Sequence, residues 1–284
     1  MNKQTKSERV LATKEDFNDF FFKTPYFAYL DILGFTGLVR NNSHETLVEL
    51  YKTLVAFPVT FYNVFLEKWQ KHLEDKLGER IDPTGLRLVN ISDSILLWTI
   101  NSKEQSLIEL LFAVKLLMTT ALTIGIPLRG SVVMGEIAVL EQTNSMSIVG
   151  RGLVHAYEME NKQLWSGCIV DSGIFTFLKS FQRVVMQYEG PLCVQKLDSL
   201  IVEADVPFRD KVIKGFVVNW ANDLKMSEEE IRQSFSKFNK RDNENEKLNE
   251  DIEKKIVNTI SFYRHVQSLK IAMEKLIPND IQLP

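Results

Sequence analysis

Residues 86–100, LRLVNISDSILLWTI, hold two apolar runs of strand length with only Ser92 and Asp93 between them. Strands that close in sequence double back on each other, because a parallel partner needs a crossover of roughly a dozen residues or more. The spacing therefore predicts a tight antiparallel hairpin. Around it the pattern alternates. Residues 26–33 (YFAYLDIL) read as a strand buried on both faces. Residues 44–76 read as one or two helices, apolar at Leu47, Leu50, Tyr51, Leu54 and Val55, with Pro58 kinking or splitting them. The charged piece 74–85, with Gly and Pro inside it, reads as a loop. Beyond the hairpin, 104–124 reads as a helix ending near Gly125. Residues 126–140 (IPLRGSVVMGEIAVL) read as one strand whose glycines mark a bulge or a close approach. Residues 145–150 make a short strand, 151–162 a helix opening after Gly150, and 167–172 another strand before a short helix near 173–180.

The resulting order is β-α-β-β-α-β, the split arrangement of ferredoxin-like sheets with helices on one face. The expected class is α+β, an antiparallel sheet with a helical C-terminal extension. A hairpin is expected at 183–197. From about 207 the tail reads as mostly helical. The charged stretch 239–255 is either an exposed linker or the solvated start of a last helix through 276, and the helix is preferred. We divide the chain into an N-terminal segment 1–25, a main domain 26–205 and a helical extension 206–284.

Length and charge exclude some functions. The chain has 284 residues, 45% hydrophobic and 25% charged, with a net charge of −3. That is enough length for a sizeable core and shows no basic surplus that would advertise nucleic acid or an anionic membrane. Two cysteines, Cys168 and Cys193, do not make a disulfide scaffold. The polar start has no signal-peptide core. Residues 106–128 are the most apolar long segment, but Glu109 and Lys115 interrupt it, so it reads as a buried helix leading into a strand. The expectation is a soluble, cytoplasmic protein.

Three residues stand out chemically. Asp31 is a carboxylate at the end of a buried strand, costly there unless paired or bound to a cation. Gly34 behind it lets backbone approach a ligand, and amides near Phe35 and Thr36 face an anion if a helix starts there. The competing reading is an Asp that caps that helix. Asp93 lies in the hairpin turn, where Asp is common. The element order also puts its strand beside that of Asp31. Two such carboxylates repel unless a cation lies between them, and hard divalent ions use one or two carboxylates plus substrate phosphates. Arg129 opens an otherwise apolar strand. It either meets a phosphate in bidentate fashion or pairs with an acid such as Glu136 or Glu158. The Gly turn opening the helix at 151 faces a ligand or is an ordinary strand–helix connection.

Together, YLDILGFTGLV, NISDSILLW, IPLRGSVVMGE and IVGRGLVHAYEMEN resemble, in order and context, the catalytic domain of class III nucleotide cyclases over residues 26 to 170. The resemblance implies two Mn²⁺ or Mg²⁺ ions held by Asp31, the backbone carbonyl of Ile32, and Asp93. Asp31 and Asp93 are thereby the implied catalytic residues. It implies phosphate contacts from Phe35, Thr36 and Arg129, and active sites built across a head-to-tail homodimer. Purine cyclases carry a base-reading Lys or Glu four positions before the second metal Asp; here that position is Val89, and the other base-reading position is Ser147. The family's helical Asn and Arg fall at Val154 and Glu158, so that pair is missing from this register. Arg151 and His155 are nearby substitutes by position, and Tyr51 would narrow a base pocket.

The pattern is most similar to the pyrimidine (uridylate and cytidylate) cyclases of the bacterial Pycsar antiphage system. The implied activity converts UTP, favoured over CTP, to the 3′,5′-cyclic monophosphate and pyrophosphate, for a separate effector protein. A purine cyclase and a degenerate nucleotide-binding sensor are the alternatives.

Overall fold

The computed structural model describes residues 18–22, 25–56, 85–142, 145–174, 200–238 and 250–276. The readings at Pro58, 57–84, 175–199 (with Cys193) and 239–249 lie outside these residues.

The hairpin forms as expected, from β3 (Arg87–Ile91) and β4 (Ser94–Trp98). β4 pairs antiparallel with β2 (Tyr26–Ile32), and β2 pairs antiparallel with β5 (Leu128–Met134). These four give the order β3-β4-β2-β5, the βαββαβ sheet of an α+β fold. The sheet does not stop there. β8 (Cys168–Val170) adds parallel to β5, and the antiparallel β10 (Val212–Val218) and β9 (Ile201–Pro207) complete seven strands. β10 thus lies within the stretch expected to be mostly helical. Its register with β9 runs from Val212 opposite Pro207 to Val218 opposite Ile201.

Strand alternation sorts the side chains of β2 between two cores. Tyr26, Ala28, Leu30 and Ile32 face the larger one. That core holds α1 (Phe35–Asn41), α2 (His44–Tyr51), the π-turn Lys52–Ala56 and α3 (Glu104–Ile124). α3 is the apolar stretch of membrane-spanning length, and its Leu107, Leu110, Leu111, Val114, Leu117 and Met118 are buried in this core. Gly125, left-handed at φ 89°, ends it. The helices do not all lie on one face as expected: on the opposite side Phe27 packs with Leu96, Trp98, Val133 and Ala156 of α4 (Arg151–Asn161), because the odd-numbered Phe27 and Tyr29 make that face of β2 apolar too.

Residues 126–140 are two strands rather than one. The chain turns at Gly135–Glu136, and β6 (Ile137–Gln142) joins β1 (Asn18–Phe22) and β7 (Ser145–Val149) in a separate three-stranded sheet. The glycines mark a close approach. A Cβ on Gly135 would stand 2.8 Å from Gly152 Cα, and one on Gly150 (φ 154°) would stand 2.2 Å from the Glu136 carbonyl oxygen. We expect Gly150→Ala to lower the unfolding free energy by roughly 1–3 kcal/mol, seen as a lower urea midpoint at unchanged slope.

The C-terminal residues share the larger core. α5 (Glu228–Ser234) starts with a capping box between Ser227 and Glu230. α6 (Glu250–Leu276) buries Ile256, Ile260, Phe262 and Val266. Phe262 meets the Trp165 ring edge-on at 5.1 Å. The helix expected through 276 therefore packs back on the sheet.

Candidate active site

β2 places Asp31 on the same face as Phe27 and Tyr29, with Ser94 opposite it on β4 and Arg129 opposite it on β5. The next residue ties this strand end to the hairpin turn: Ile32 N–H donates to the Asp93 carbonyl at 2.9 Å. Asp31 and Asp93 are thus brought to one end of the sheet. The turn is strained, with Ser92 at φ 59°. Tyr51 holds it from the other side, its hydroxyl donating to the Ser92 carbonyl at 2.7 Å. Burial, then Asp93, push that phenol up to about 12, so Tyr51 stays a donor. We expect Tyr51→Phe to loosen the turn carrying Asp93 and to lower the unfolding free energy by roughly 1 kcal/mol, checked by urea titration.

Asp31 is not a helix cap. Gly34, left-handed at φ 78°, takes the N-cap of α1, and no side chain caps it. Phe35 and Thr36 open that helix, with Thr36 exposed.

Arg129 is buried at 7% exposure, and its guanidinium is committed inward. Nε donates to the Glu160 carboxylate, Nη1 donates to the Gln163 carbonyl at 3.0 Å, and Nη2 stands 3.8 Å from Asp31 Oδ2. Its partner acid is therefore Glu160, not Glu136 or Glu158. Glu160 is 2% exposed, and burial raises its pKa against the opposing pull of Arg129. The signal was present in the sequence: Gly152, Ala156 and Glu160 recur every four residues and form the inward face of α4. Burial first, then Glu160, push Asp31 up to about 7, with Arg129 opposing and Asp93 adding to the rise.

The remaining expected positions separate. Val89 packs on the same side as Tyr29, with Ile148 and Leu153. Ser147 is exposed on β7, in the other sheet. Val154 and Glu158 are exposed on the outer surface of α4. His155 pairs with Asp171 at 3.4 Å.

Among the described residues, no three His, Cys, Asp or Glu side chains form a metal cluster. The donors that are present still fit a hard divalent ion. Asp31 and Asp93 supply hard carboxylate oxygens at one end of the sheet, and a carboxylate pushed up to about 7, as burial and Glu160 push Asp31, is one that a nearby cation relieves.

No protein-family model matches the chain, and no curated relative matches it. Solved structures that are similar to it include two guanylyl cyclase domains. One is the catalytic core of a rhodopsin-guanylyl cyclase with converted specificity in complex with ATPαS. It is 13% identical, with a TM-score of 0.40, covering 71% of this chain and 97% of the other. The second is a non-canonical dimeric guanylyl cyclase domain from the aquatic fungus Blastocladiella emersonii. It is 14% identical, with a TM-score of 0.39, covering 70% of this chain and 97% of the other.

Proposed function

We propose that this chain is a nucleotide cyclase that converts a pyrimidine nucleoside triphosphate, UTP before CTP, to its 3′,5′-cyclic monophosphate and pyrophosphate. The observation that carries the reading is the bond from Ile32 N–H to the Asp93 carbonyl, which brings the two acidic strand ends to one end of the sheet. In the reaction the ribose 3′-oxygen bonds to the α-phosphorus, the bond to the bridging oxygen of the β-phosphate breaks, and the hydroxyl proton is lost. Asp31 and Asp93 would hold the metal ions, Mn²⁺ or Mg²⁺. Bound there, the ions would lower the hydroxyl pKa and neutralise charge at the α-phosphate. Tyr51 fixes the turn, and Glu160 with Arg129 fixes the wall behind Asp31. Phe35 and Thr36 amides offer donors to phosphate oxygens.

Val89 supports a pyrimidine preference, since it places no purine-reading Lys or Glu beside Tyr29. Exposed Met146, Val149, Val154 and Tyr157 on β7 and α4 support a homodimer. The antiphage role and the separate effector rest on the sequence resemblance alone.

A second reading, a degenerate cyclase fold that senses nucleotides, is favoured by exposed Val154 and Glu158 and by the inward commitment of Arg129. Incubation with each of the four triphosphates and Mn²⁺, read by pyrophosphate release and chromatography, decides between them. We expect cyclic UMP as the main product. A cyclic purine nucleotide as the main product assigns purine specificity instead, and no cyclic product from any of the four selects the sensor.

A further inference from the structure

A pair of neutral hydroxyls stands beside the acidic strand ends. Tyr29 Oη and Ser94 Oγ lie 2.8 Å apart. Ser94 follows Asp93 in the chain and is the β4 residue directly opposite Asp31. Directly opposite residues of an antiparallel pair carry their Cβ atoms on one face, about 4.5–5.5 Å apart. Tyr29 lies two residues before Asp31 on that same face, so its bond to Ser94 shows which way the serine points. The serine hydroxyl is therefore a neighbour of the Asp31 carboxylate by register and of Asp93 by sequence.

The tyrosine is held in place by packing. Its ring meets that of Tyr157 on α4 edge-on, at 5.8 Å and 82° between planes, and it packs on the side of the sheet that holds Phe27 and Val89. A ring fixed in this way fixes the direction of its hydroxyl. The pair also has a hydrogen to spare. Two hydroxyls carry two hydrogens, and their mutual bond uses one. Neither hydroxyl has another hydrogen-bond partner among the described residues. Neighbouring polar groups on this face are committed or of the wrong kind. Ser131 donates to the Ala156 carbonyl at 2.7 Å, Arg129 serves Glu160 and Gln163, and ionised Asp31 and Asp93 only accept.

A ribose whose 3′-oxygen attacks an α-phosphorus at Asp31 and Asp93 brings its 2′-oxygen one carbon away from the reacting atom. A site built to bond a substrate hydroxyl disfavours the analogue that lacks it, because its own polar group is then left unpaired. We propose that Ser94, oriented by a bond donated from Tyr29, donates its hydroxyl hydrogen to the ribose 2′-oxygen of the nucleoside triphosphate. The pair thereby selects ribonucleotides over 2′-deoxyribonucleotides. This assignment rests on the cyclase reading and adds the sugar specificity of that site.

The test compares two ligands that differ only in the 2′-hydroxyl and have no 3′-oxygen to react. Titration calorimetry of the full chain with Mg²⁺ uses 3′-deoxy-UTP against 2′,3′-dideoxy-UTP, and the adenosine counterparts alongside. Wild type, Ser94→Ala, Tyr29→Phe and Ser94→Thr are compared, with melting curves to check folding. We expect wild type to bind the 2′-hydroxyl ligand about tenfold more tightly, Ser94→Ala to lose the difference, and Tyr29→Phe to cut it to about threefold. Ser94→Thr, which keeps the hydroxyl, should keep most of it. If Ser94→Ala does not fold, Tyr29→Phe reads the same ratio. A wild type that binds neither pair, or binds both members of a pair equally, overturns the proposal. So does a Ser94→Ala protein, or in its place a Tyr29→Phe protein, with the wild-type ratio. Turnover of UTP and 2′-deoxy-UTP separates this proposal from the reading beneath it. A 2′-hydroxyl preference that the variants lose, with no cyclic product from any triphosphate, keeps the ribose contact and overturns the cyclase reading. Cyclic product from wild type, with the ratio of kcat/KM between UTP and 2′-deoxy-UTP unchanged in Ser94→Ala, does the reverse.

Discussion

Asp31→Asn and Asp93→Asn will each make no detectable cyclic nucleotide, and the Asp31 variant will be more stable than the wild type in metal-free buffer at pH 8. The loss of activity follows from the small number of donors: with two carboxylates to hold the ions, removing one leaves too few. The gain in stability follows from crowding. The folded-state pKa of Asp31 is raised from 3.8 to about 7, so the folded state binds its proton more tightly than the unfolded chain does. The carboxyl therefore costs nothing below about pH 4, and its cost grows as pH rises to about 7 and then stays constant. Asn removes that cost. Allowing for partial exposure, the gain at pH 8 is on the order of 1–2 kcal/mol and vanishes near pH 4. Urea titrations with a chelator at both pH values read it. An Asp31→Asn protein as active as the wild type removes the site assignment. One that is inactive and less stable at pH 8 shows that the carboxylate braces the fold instead.

The strand order was legible because its signals are local. Two apolar runs two residues apart allow only a hairpin, and Asp31 at a strand end implied a neighbour of opposite charge. What escaped was long-range. For Arg129 the acids weighed against a phosphate, Glu136 and Glu158, are near in sequence, whereas the inward face of α4 delivers Glu160. β5 and β6 read as one strand because Gly135 looks like a bulge; only the approach of Gly152 shows why the chain must leave the sheet there. β10 hid in a tail dominated by helical pattern, since a short edge pairing such as Val212–Val218 with β9 carries little periodic signal. The docking of α6 against Leu164 and Ser166 is likewise written in no local pattern. Those contacts lie 93 or more residues apart in the chain.

Arg129→Ala is expected to destabilise the protein by about 3–5 kcal/mol, the largest effect we anticipate on folding. The size comes from what the substitution leaves behind. Glu160 at 2% exposure would keep its carboxylate with no guanidinium beside it, and the Gln163 carbonyl would lose its donor. Lysine is a poor replacement, because one ammonium does not reach the carboxylate, the carbonyl and Asp31 in the directions that the fork does. The double variant Arg129→Met, Glu160→Leu removes both charges and should recover most of the loss, since an apolar pair of similar volume avoids the burial cost. A urea double-mutant cycle measures the coupling. If Arg129→Ala alone loses less than about 1 kcal/mol, the guanidinium is not the counterion of Glu160, and its service is to a phosphate after all. The activity of the rescued double variant then separates bracing from binding. A stable protein that still cyclises shows that Arg129 serves the wall behind Asp31, whereas a stable protein with a KM raised tenfold or more returns the residue to the substrate.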